Sequence, residues 1–298
     1  RDKNPGEETS GSTAPLAHMG VSMTLASLFL VVLASVIHAS WNLLAKRAAP
    51  AGPVFILVFS LIGCIAYGPW VLYLLAHGSV AWTGVGMGFL LLSGLIHLAY
   101  NLCLQRGYQV ADLSVVYPVA RGTGPMLSTI GAVLILGEMP TGIGILGLAL
   151  VVAGILLIAT QGKLAAFTRP GGQAGLRWGT ATGGLIASYT VVDAYAVKML
   201  GIAPVMLDWF SNLLRVVMLL PLVISNPRRM IEAMRGYWWI ALVVGILSPL
   251  SYILVLAALS AGAPLSLVAP MREMSMMIGA LMGMLILREA VGPWRLIG

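Results

Sequence analysis

Nine apolar runs of membrane-spanning length follow one another along this 298-residue chain, in which only 9% of the residues are charged. An ordinary soluble domain carries about 25% charged residues, so this composition excludes that class. The runs lie at residues 22–44, 54–76, 83–104, 113–136, 141–160, 176–199, 205–225, 237–259 and 265–287. A tenth run begins near Val291 and stops at Gly298, which is too short to cross a bilayer. Because a spanning segment must satisfy its own backbone, the sequence predicts an all-α integral membrane protein of ten transmembrane helices, the tenth truncated.

The distribution of basic residues predicts an orientation in the membrane. The net charge is +7, which in so apolar a chain indicates basic cytoplasmic loops and not a nucleic-acid partner. The loops after the first, third, fifth, seventh and ninth runs hold ten of the seventeen Lys and Arg residues. The opposite side holds only Lys198 once the N-terminal tail is set aside. The positive-inside rule therefore places both termini outside the cell.

An internal repeat divides the chain into two halves. Residues 111–118 resemble residues 263–270, and Ile135-Leu-Gly-Glu138 resembles Ile286-Leu-Arg-Glu289. Tyr100 and Lys46 match Tyr252 and Lys198, always at an offset of 151 or 152 residues. Each half has five spans. Because five is an odd number, the second half has the opposite orientation in the membrane. Inverted repeats of this kind are typical of secondary transporters, whose substrate site lies near the midplane between the halves.

The repeat also predicts the domain boundaries. The first five-helix repeat is expected at residues 21–162, a linker at 163–175, and the second, inverted repeat at 176–298. Residues 1–20 are polar and are expected to form a disordered tail outside the fold. Their sequence lacks the pattern of a secretory signal, and one interpretation is that they come from an expression vector.

Polar and aromatic residues recur at helical spacing within the apolar runs, so each run has one polar face. Such faces turn inward, toward a shared cavity, because charged and polar groups are costly against lipid. The candidate substrate-binding residues are His38, Trp41, Asn42, His97, Tyr100, Asn101, Tyr117, Arg121, Tyr189, Asp193, Tyr252, Arg272 and Glu273.

Two interpretations of the charged members stay open at this point. Arg side chains could hold a substrate carboxylate, while an acid titrates or holds an amine. Alternatively, Asp193 or Glu273 neutralises Arg121 or Arg272 and fixes two helices together. The pair His38 and His97 lacks an evident third ligand, so we predict no metal, and the sequence also predicts no cofactor and no catalytic residue.

Proline and glycine residues within two of the runs predict hinges. Pro removes a backbone donor and Gly loosens a helix, so a kink is expected in the fourth run. A weaker counterpart is expected in the ninth. The candidate hinge residues are Pro118, Gly122, Gly124, Pro125 and Pro270.

The order of these motifs resembles a known family. The first run reads Ala34-Ser-Val-Ile-His-Ala-Ser-Trp-Asn-Leu-Leu-Ala-Lys46, and the fourth and ninth runs end on Ile-Leu-Gly-Glu138 and Ile-Leu-Arg-Glu289. This pattern resembles the drug/metabolite transporter superfamily, specifically its EamA-type ten-helix carriers, and within them the amino acid exporters of the YddG type. The resemblance implies a bacterial inner-membrane efflux carrier that works by alternating access. One departure is that the first run has no acid, whereas four-helix multidrug relatives use a Glu there for proton exchange.

The leading prediction is therefore an exporter of amino acids and similar small metabolites, and not an enzyme. It has a small-molecule substrate and a lipid bilayer as partners, and a monomer is plausible. The alternatives are a broad drug or nucleotide-sugar carrier, a polytopic membrane enzyme, and a receptor or scaffold without flux.

Overall fold

A computed structural model describes residues 23–78, 83–110, 113–160 and 170–287 of the chain. Every regular element in these ranges is helical, as the apolar runs predict. The α-helices are α1 (Leu25–Arg47), α2 (Pro53–Ala76), α3 (Gly84–Val110), α4 (Leu113–Leu136), α5 (Gly142–Thr160), α6 (Pro170–Lys198), α7 (Pro204–Ile224), α8 (Pro227–Ala233), α9 (Trp238–Ser260), α10 (Leu265–Arg272) and α11 (Met274–Leu287). The polar tail and the tenth apolar run lie outside the described residues.

Six of the described helices are long and apolar enough to cross a membrane. They comprise α1, α2, α9 and most of α3, α4 and α7, and α5 holds a shorter apolar stretch. Helix α6 is long but has a more polar sequence, which includes Asp193, Trp178, Tyr189 and Tyr195. The ninth apolar run contains two shorter helices, α10 and α11.

Local sequence explains where the first helices begin and end. The Thr24 side chain accepts a hydrogen bond from the Ser27 backbone N–H and caps α1. The last turn of α1 carries Lys46 and Arg47, whose charges suit the negative end of the helix dipole. Gly52 has a positive φ of 59°, which allows the tight turn before Pro53 starts α2.

Helix packing follows the two-fold relation that the repeat predicts. The first helix of each repeat packs against the third helix of the other repeat: α1 packs against α9, and α6 packs against α3. The two second helices, α2 and α7, pack against each other, and α4 packs against α10. This exchange of equivalent partners is the packing expected of two repeats related by a two-fold axis.

The contact between α4 and α6 depends on a stripe of glycines on α6. A Cβ atom added at Gly179 would lie 2.7 Å from the Cβ of Val119, and added Cβ atoms at Gly175 and Gly183 would also meet α4 side chains. Small residues four apart let two helices approach closely in a membrane. The α4 and α6 backbones therefore lie close to each other, and both helices carry buried polar residues.

Two element boundaries differ from the sequence predictions. Helix α6 begins at Pro170, before the predicted start at residue 176, so Gly171 and Gly172 lie in its first turn. The ninth run is divided at Glu273, where the Glu273 N–H bonds to the Pro270 carbonyl three residues earlier. Pro270 lacks a backbone donor, which weakens the helix at this position.

The stronger kink was expected in the fourth run, but α4 is a single helix that includes Pro118, Gly122, Gly124 and Pro125. The complete interruption lies next to Pro270, in the repeat where the weaker hinge was expected. Discontinuous helices at the interface of two repeats are a recurrent feature of transporter binding sites. Hinge motion at any of these positions stays a prediction.

Candidate functional site

Asp193 is the centre of a buried polar cluster between the repeats. Its side chain is fully buried on α6, and the Tyr252 hydroxyl on α9 donates a 2.5 Å hydrogen bond to its Oδ2 atom. The Nε2 atom of His97, on α3, lies 3.9 Å from the same oxygen. Three helices from both repeats thus contribute to one acidic site.

His97 is fixed by its own helix. Its Nδ1 atom donates to the Ser93 carbonyl at 2.9 Å, since a carbonyl can only accept. The other ring nitrogen, Nε2, is therefore left to face the Asp193 carboxylate. The Ser93 hydroxyl shares a 3.1 Å hydrogen bond with Ser211 of α7, which extends the polar chain to a fourth helix.

Aromatic rings line this cluster. The His97 and Tyr189 rings stack with centroids 4.1 Å apart, and Tyr252 meets His97 edge-on at 5.5 Å. Tyr100 meets Tyr189 edge-on at 5.6 Å. These rings come from α3, α6 and α9 and form a wall beside Asp193, of the kind that accommodates flat or apolar groups.

Arg121 bridges the interruption between α10 and α11. Its Nε atom lies 2.7 Å from Glu273 Oε2, and its Nη2 atom donates to the Ser275 hydroxyl at 2.9 Å. Both Arg121 and Glu273 are buried, and Tyr117 lies beside the guanidinium, with its ring centroid 6.0 Å away. A cation of the first repeat therefore holds both sides of a helix break in the second.

Arg272 differs from Arg121 in its surroundings. It is 5% exposed, and no hydrogen bond or ion pair joins its side chain to another residue in the described ranges. Its charge acts on Tyr189, Tyr252 and Glu273, which are close to it. A buried guanidinium without partners has unused hydrogen-bonding capacity, because it carries five N–H donors.

The α1 residues have largely structural contacts. The Trp41 indole N–H donates to Ser251 of α9 at 3.1 Å, and the His38 ring packs edge-on against Trp41. The Asn42 amide donates to the His38 carbonyl, four residues earlier on the same helix. The Asn101 amide on α3 bonds in the same way to the His97 carbonyl. The Trp41–Ser251 contact joins α1 to α9, whereas the other three contacts each lie within one helix.

Sequence reasoning proposed the polar residues of this site but not their partners. The structure brings together Asp193, His97, Tyr252 and the other tyrosines in one cluster, and Arg121 with Glu273 in another. It does not pair Arg272, and it gives Asn42 and Asn101 backbone partners. Ser251 and Ser275 were missed, because an isolated Ser in an apolar run carries no signal until its neighbour on another helix is known.

A second ion pair lies at the end of the bundle where α6 finishes. The Lys198 Nζ atom donates to Glu138 Oε1 at 2.8 Å and to the Ala263 carbonyl at 3.0 Å. The Glu138 carboxylate also accepts hydrogen bonds from the backbone N–H groups of Leu265 and Ser266 at 2.8 and 2.9 Å. Glu138 follows α4, so a residue of the first repeat caps the start of α10 in the second. We call this contact the Glu138 clasp.

The surroundings of Glu138 favour its charged form. Burial alone raises the pKa of a carboxylate, but the hydrogen bonds from Lys198 and from the two backbone N–H groups outweigh burial and hold the pKa of Glu138 below its usual value.

A third polar group lies on α7, at Asp208, Asn212 and Arg215. Asn212 donates to Asp208 Oδ2 at 2.9 Å, and Arg215 donates to Asn212 and to Ser60 of α2. A cavity of about 40 Å³ lies beside Arg215, lined otherwise by Asn101 and apolar residues of α2, α3 and α7. In the part of the chain that the structure describes, no group of three His, Cys, Asp or Glu side chains could hold a metal ion.

Comparison with known proteins gives one family match. Residues 25–160 match the EamA-like transporter family. The match covers 136 of the 298 residues, a little under half of the chain. The family consists of membrane transporters with inverted repeats and belongs to the drug/metabolite transporter superfamily. The chain is similar to this family over these residues, and its six apolar helices of spanning length fit a multi-pass membrane protein.

The fold has a solved counterpart. One crystal structure matches with a TM-score of 0.69 at 17% sequence identity, over 93% of this chain and 93% of that chain. At this identity the likeness supports the fold of both halves and carries no substrate information. No curated protein matches the chain.

Proposed function

We propose that this EamA-like protein is a secondary transporter that exports amino acids, aromatic and other neutral ones, together with similar small metabolites. The observation that carries the proposal is the buried cluster around Asp193, in which acid, imidazole and tyrosine side chains from both repeats meet. A charged group inside a membrane protein is costly unless it serves a pathway or a partner. An acid and a cation beside aromatic rings suit a substrate that is polar at one end and apolar at the other.

Alternating access through the interface of the repeats explains how such a buried site is reached. The repeats part first on one side of the membrane and then on the other, which exposes the cluster in turn. We place the protein in the bacterial inner membrane with both termini external, since the basic residues lie on the loops of one side. The lipid bilayer and the small molecule are the partners, with no nucleic acid, no cofactor and no enzymatic step.

Uptake into proteoliposomes tests this function. Purified protein is reconstituted, and the uptake of radiolabelled tryptophan, phenylalanine, threonine and methionine is measured with and without an imposed pH gradient. We expect saturable uptake of at least one aromatic amino acid above that of empty liposomes. If none of the four moves faster than in empty liposomes, amino acid export is refuted.

A further inference from the structure

We propose that Asp193 and Arg272 hold the two ends of a zwitterion, with the ammonium group on Asp193 and the carboxylate on Arg272. This assignment rests on the proposed function and narrows it. The substrate class becomes molecules that carry a free ammonium and a free carboxylate together, and excludes simple amines and simple carboxylic acids.

Asp193 has an unused acceptor. Its Oδ2 atom accepts from Tyr252, whereas its Oδ1 atom is buried and has no hydrogen-bond partner among the described residues. A carboxylate can accept about four hydrogen bonds, and leaving one oxygen unpaired in a buried position is costly. An ammonium group supplies both the missing donors and the opposite charge.

Arg272 has unused donors in the same region. Its Nε atom is buried without a partner, and its whole side chain lacks hydrogen bonds to the described residues. A carboxylate is the group that the planar guanidinium fork binds best, through two parallel hydrogen bonds. The arginine lies at the end of α10, where the helix is interrupted.

The other buried charged residues have side-chain partners, although Glu273 Oε1 and Arg215 Nε also lack a hydrogen bond among the described residues. Arg121 pairs with Glu273 and bonds to Ser275. On α7, Asp208 and Arg215 share Asn212 as a hydrogen-bond partner. Among the described residues, Arg272 is the one buried arginine whose side chain makes no hydrogen bond or ion pair, and Asp193 is the one buried aspartate with an unpartnered oxygen.

These two residues share their surroundings without pairing with each other. Tyr252 donates to Asp193 and also lies within electrostatic range of Arg272, and the charge of Arg272 acts on Asp193. No ion pair within 4.0 Å joins the two side chains. One small molecule with both charges could bridge them, and its side chain would then face the stacked rings of His97 and Tyr189.

Three compounds with one scaffold separate the roles of the two charges. Phenylalanine carries both groups, phenethylamine only the ammonium, and 3-phenylpropionate only the carboxylate. Equilibrium dialysis of each radiolabelled compound against detergent-solubilised full chain gives its affinity. For the unmodified protein we expect phenylalanine to bind at least tenfold more tightly than either of the others, since each charge-assisted hydrogen bond contributes to its affinity.

Variants then assign each charge to its residue. Asp193→Asn should weaken phenylalanine and phenethylamine binding about 10- to 100-fold and leave 3-phenylpropionate unchanged. Arg272→Gln should weaken phenylalanine and 3-phenylpropionate binding by a similar factor and leave phenethylamine unchanged. Glu232→Gln is the control, because it removes an exposed acid of α8 outside the cluster, and it should preserve all three affinities.

The charge-conserving variants Asp193→Glu and Arg272→Lys guard against misfolding, and each should retain the selectivity pattern of the unmodified chain. Equal loss of all three compounds in the neutral variants, with full binding in the conservative ones, would overturn the assignment of one charge to each residue. Equal affinity of the unmodified protein for phenylalanine and phenethylamine would overturn the carboxylate site. Phenylalanine binding without this pattern refutes the zwitterion site alone, whereas the absence of amino acid uptake in proteoliposomes refutes the proposed function.

Discussion

The Lys198 ammonium group lies 2.8 Å from the Glu138 carboxylate and joins the last turn of α6 to the residue that caps α10. A large core of buried apolar side chains surrounds this end of the bundle, including Val197, Ala263 and Leu265. The Glu138 clasp therefore links three helices of both repeats beside this core.

Removal of the clasp should destabilise the protein. Glu138→Gln is expected to cost about 1–2 kcal/mol of unfolding free energy, because charge-assisted hydrogen bonds to Lys198 and to the start of α10 are lost. The melting temperature of the detergent-solubilised protein measures the effect. Glu232→Gln, an exposed acid on α8, is the control and should be neutral. Equal melting temperatures for both variants and the unmodified chain would show that the clasp does not contribute.

The pH dependence of the clasp follows from the lowered pKa of Glu138. A carboxylate whose pKa is lower in the folded state stabilises the fold above its unfolded pKa of about 4.3 and loses that contribution as the pH falls through the folded value. The difference in melting temperature between the unmodified chain and Glu138→Gln should be constant from about pH 8 to pH 5.5. It should shrink only under more acidic conditions. A difference that disappears near neutral pH would contradict the assignment.

The Arg121–Glu273 pair should behave as a coupled unit. Removing one partner of a buried ion pair typically costs about 3–5 kcal/mol, because the other charge is left uncompensated. Arg121→Met and Glu273→Gln should each destabilise the protein strongly, while the double variant should lose less than the sum of the two. Unfolding of all four proteins by denaturant titration completes the cycle. Strict additivity would mean that the two side chains do not interact.

Close packing of α4 and α6 can be tested with two glycines on one helix. Gly179→Ala should cost about 1–3 kcal/mol, because the new methyl group would overlap Val119. Gly184→Ala is the matched control, since nothing lies within 4 Å of its added Cβ atom. It should be neutral or stabilising by up to about 1 kcal/mol, as expected for Gly to Ala in a helix. Similar melting temperatures for the two variants would contradict the close approach.

The orientation can be tested by reporter fusion. A reporter enzyme that is active only outside the cytoplasm, fused after Gly162, should be inactive, since the basic loops are predicted to be cytoplasmic. A fusion after Met199 should be active, because that loop lies on the opposite side. The reverse pattern would place both termini inside the cell.

The repeat and the polar faces were readable in the sequence because both depend on spacing within one segment. Matching Tyr100 to Tyr252 at a fixed offset predicted two related halves, and the helical spacing of Tyr189 and Asp193 predicted a common face. The division of the ninth run at Glu273 was not predicted, although Pro270 marked the neighbourhood, because Pro118 in α4 leaves its helix unbroken. Whether a proline interrupts its helix therefore depends on the side chains that surround the proline in three dimensions.

The partners of the charged residues could not be obtained in this way. Glu138, Lys198 and Arg121 were visible as unusual charges, yet their contacts depend on which helix ends meet in three dimensions. The difference between an engaged Arg121 and an unpaired Arg272 likewise follows from packing, since the two arginines occupy similar positions in their repeats.

Helix α10 is held at both ends by side chains of the other repeat: Glu138 at its first residues, and Arg121 through Glu273 just beyond its last. It also packs against α4 and α5. Helix α10 is therefore fixed to the first repeat, although it belongs to the second repeat in the sequence. We therefore expect α10 to move with the first half of the molecule during transport, together with the start of α11, which Arg121 also holds through Ser275.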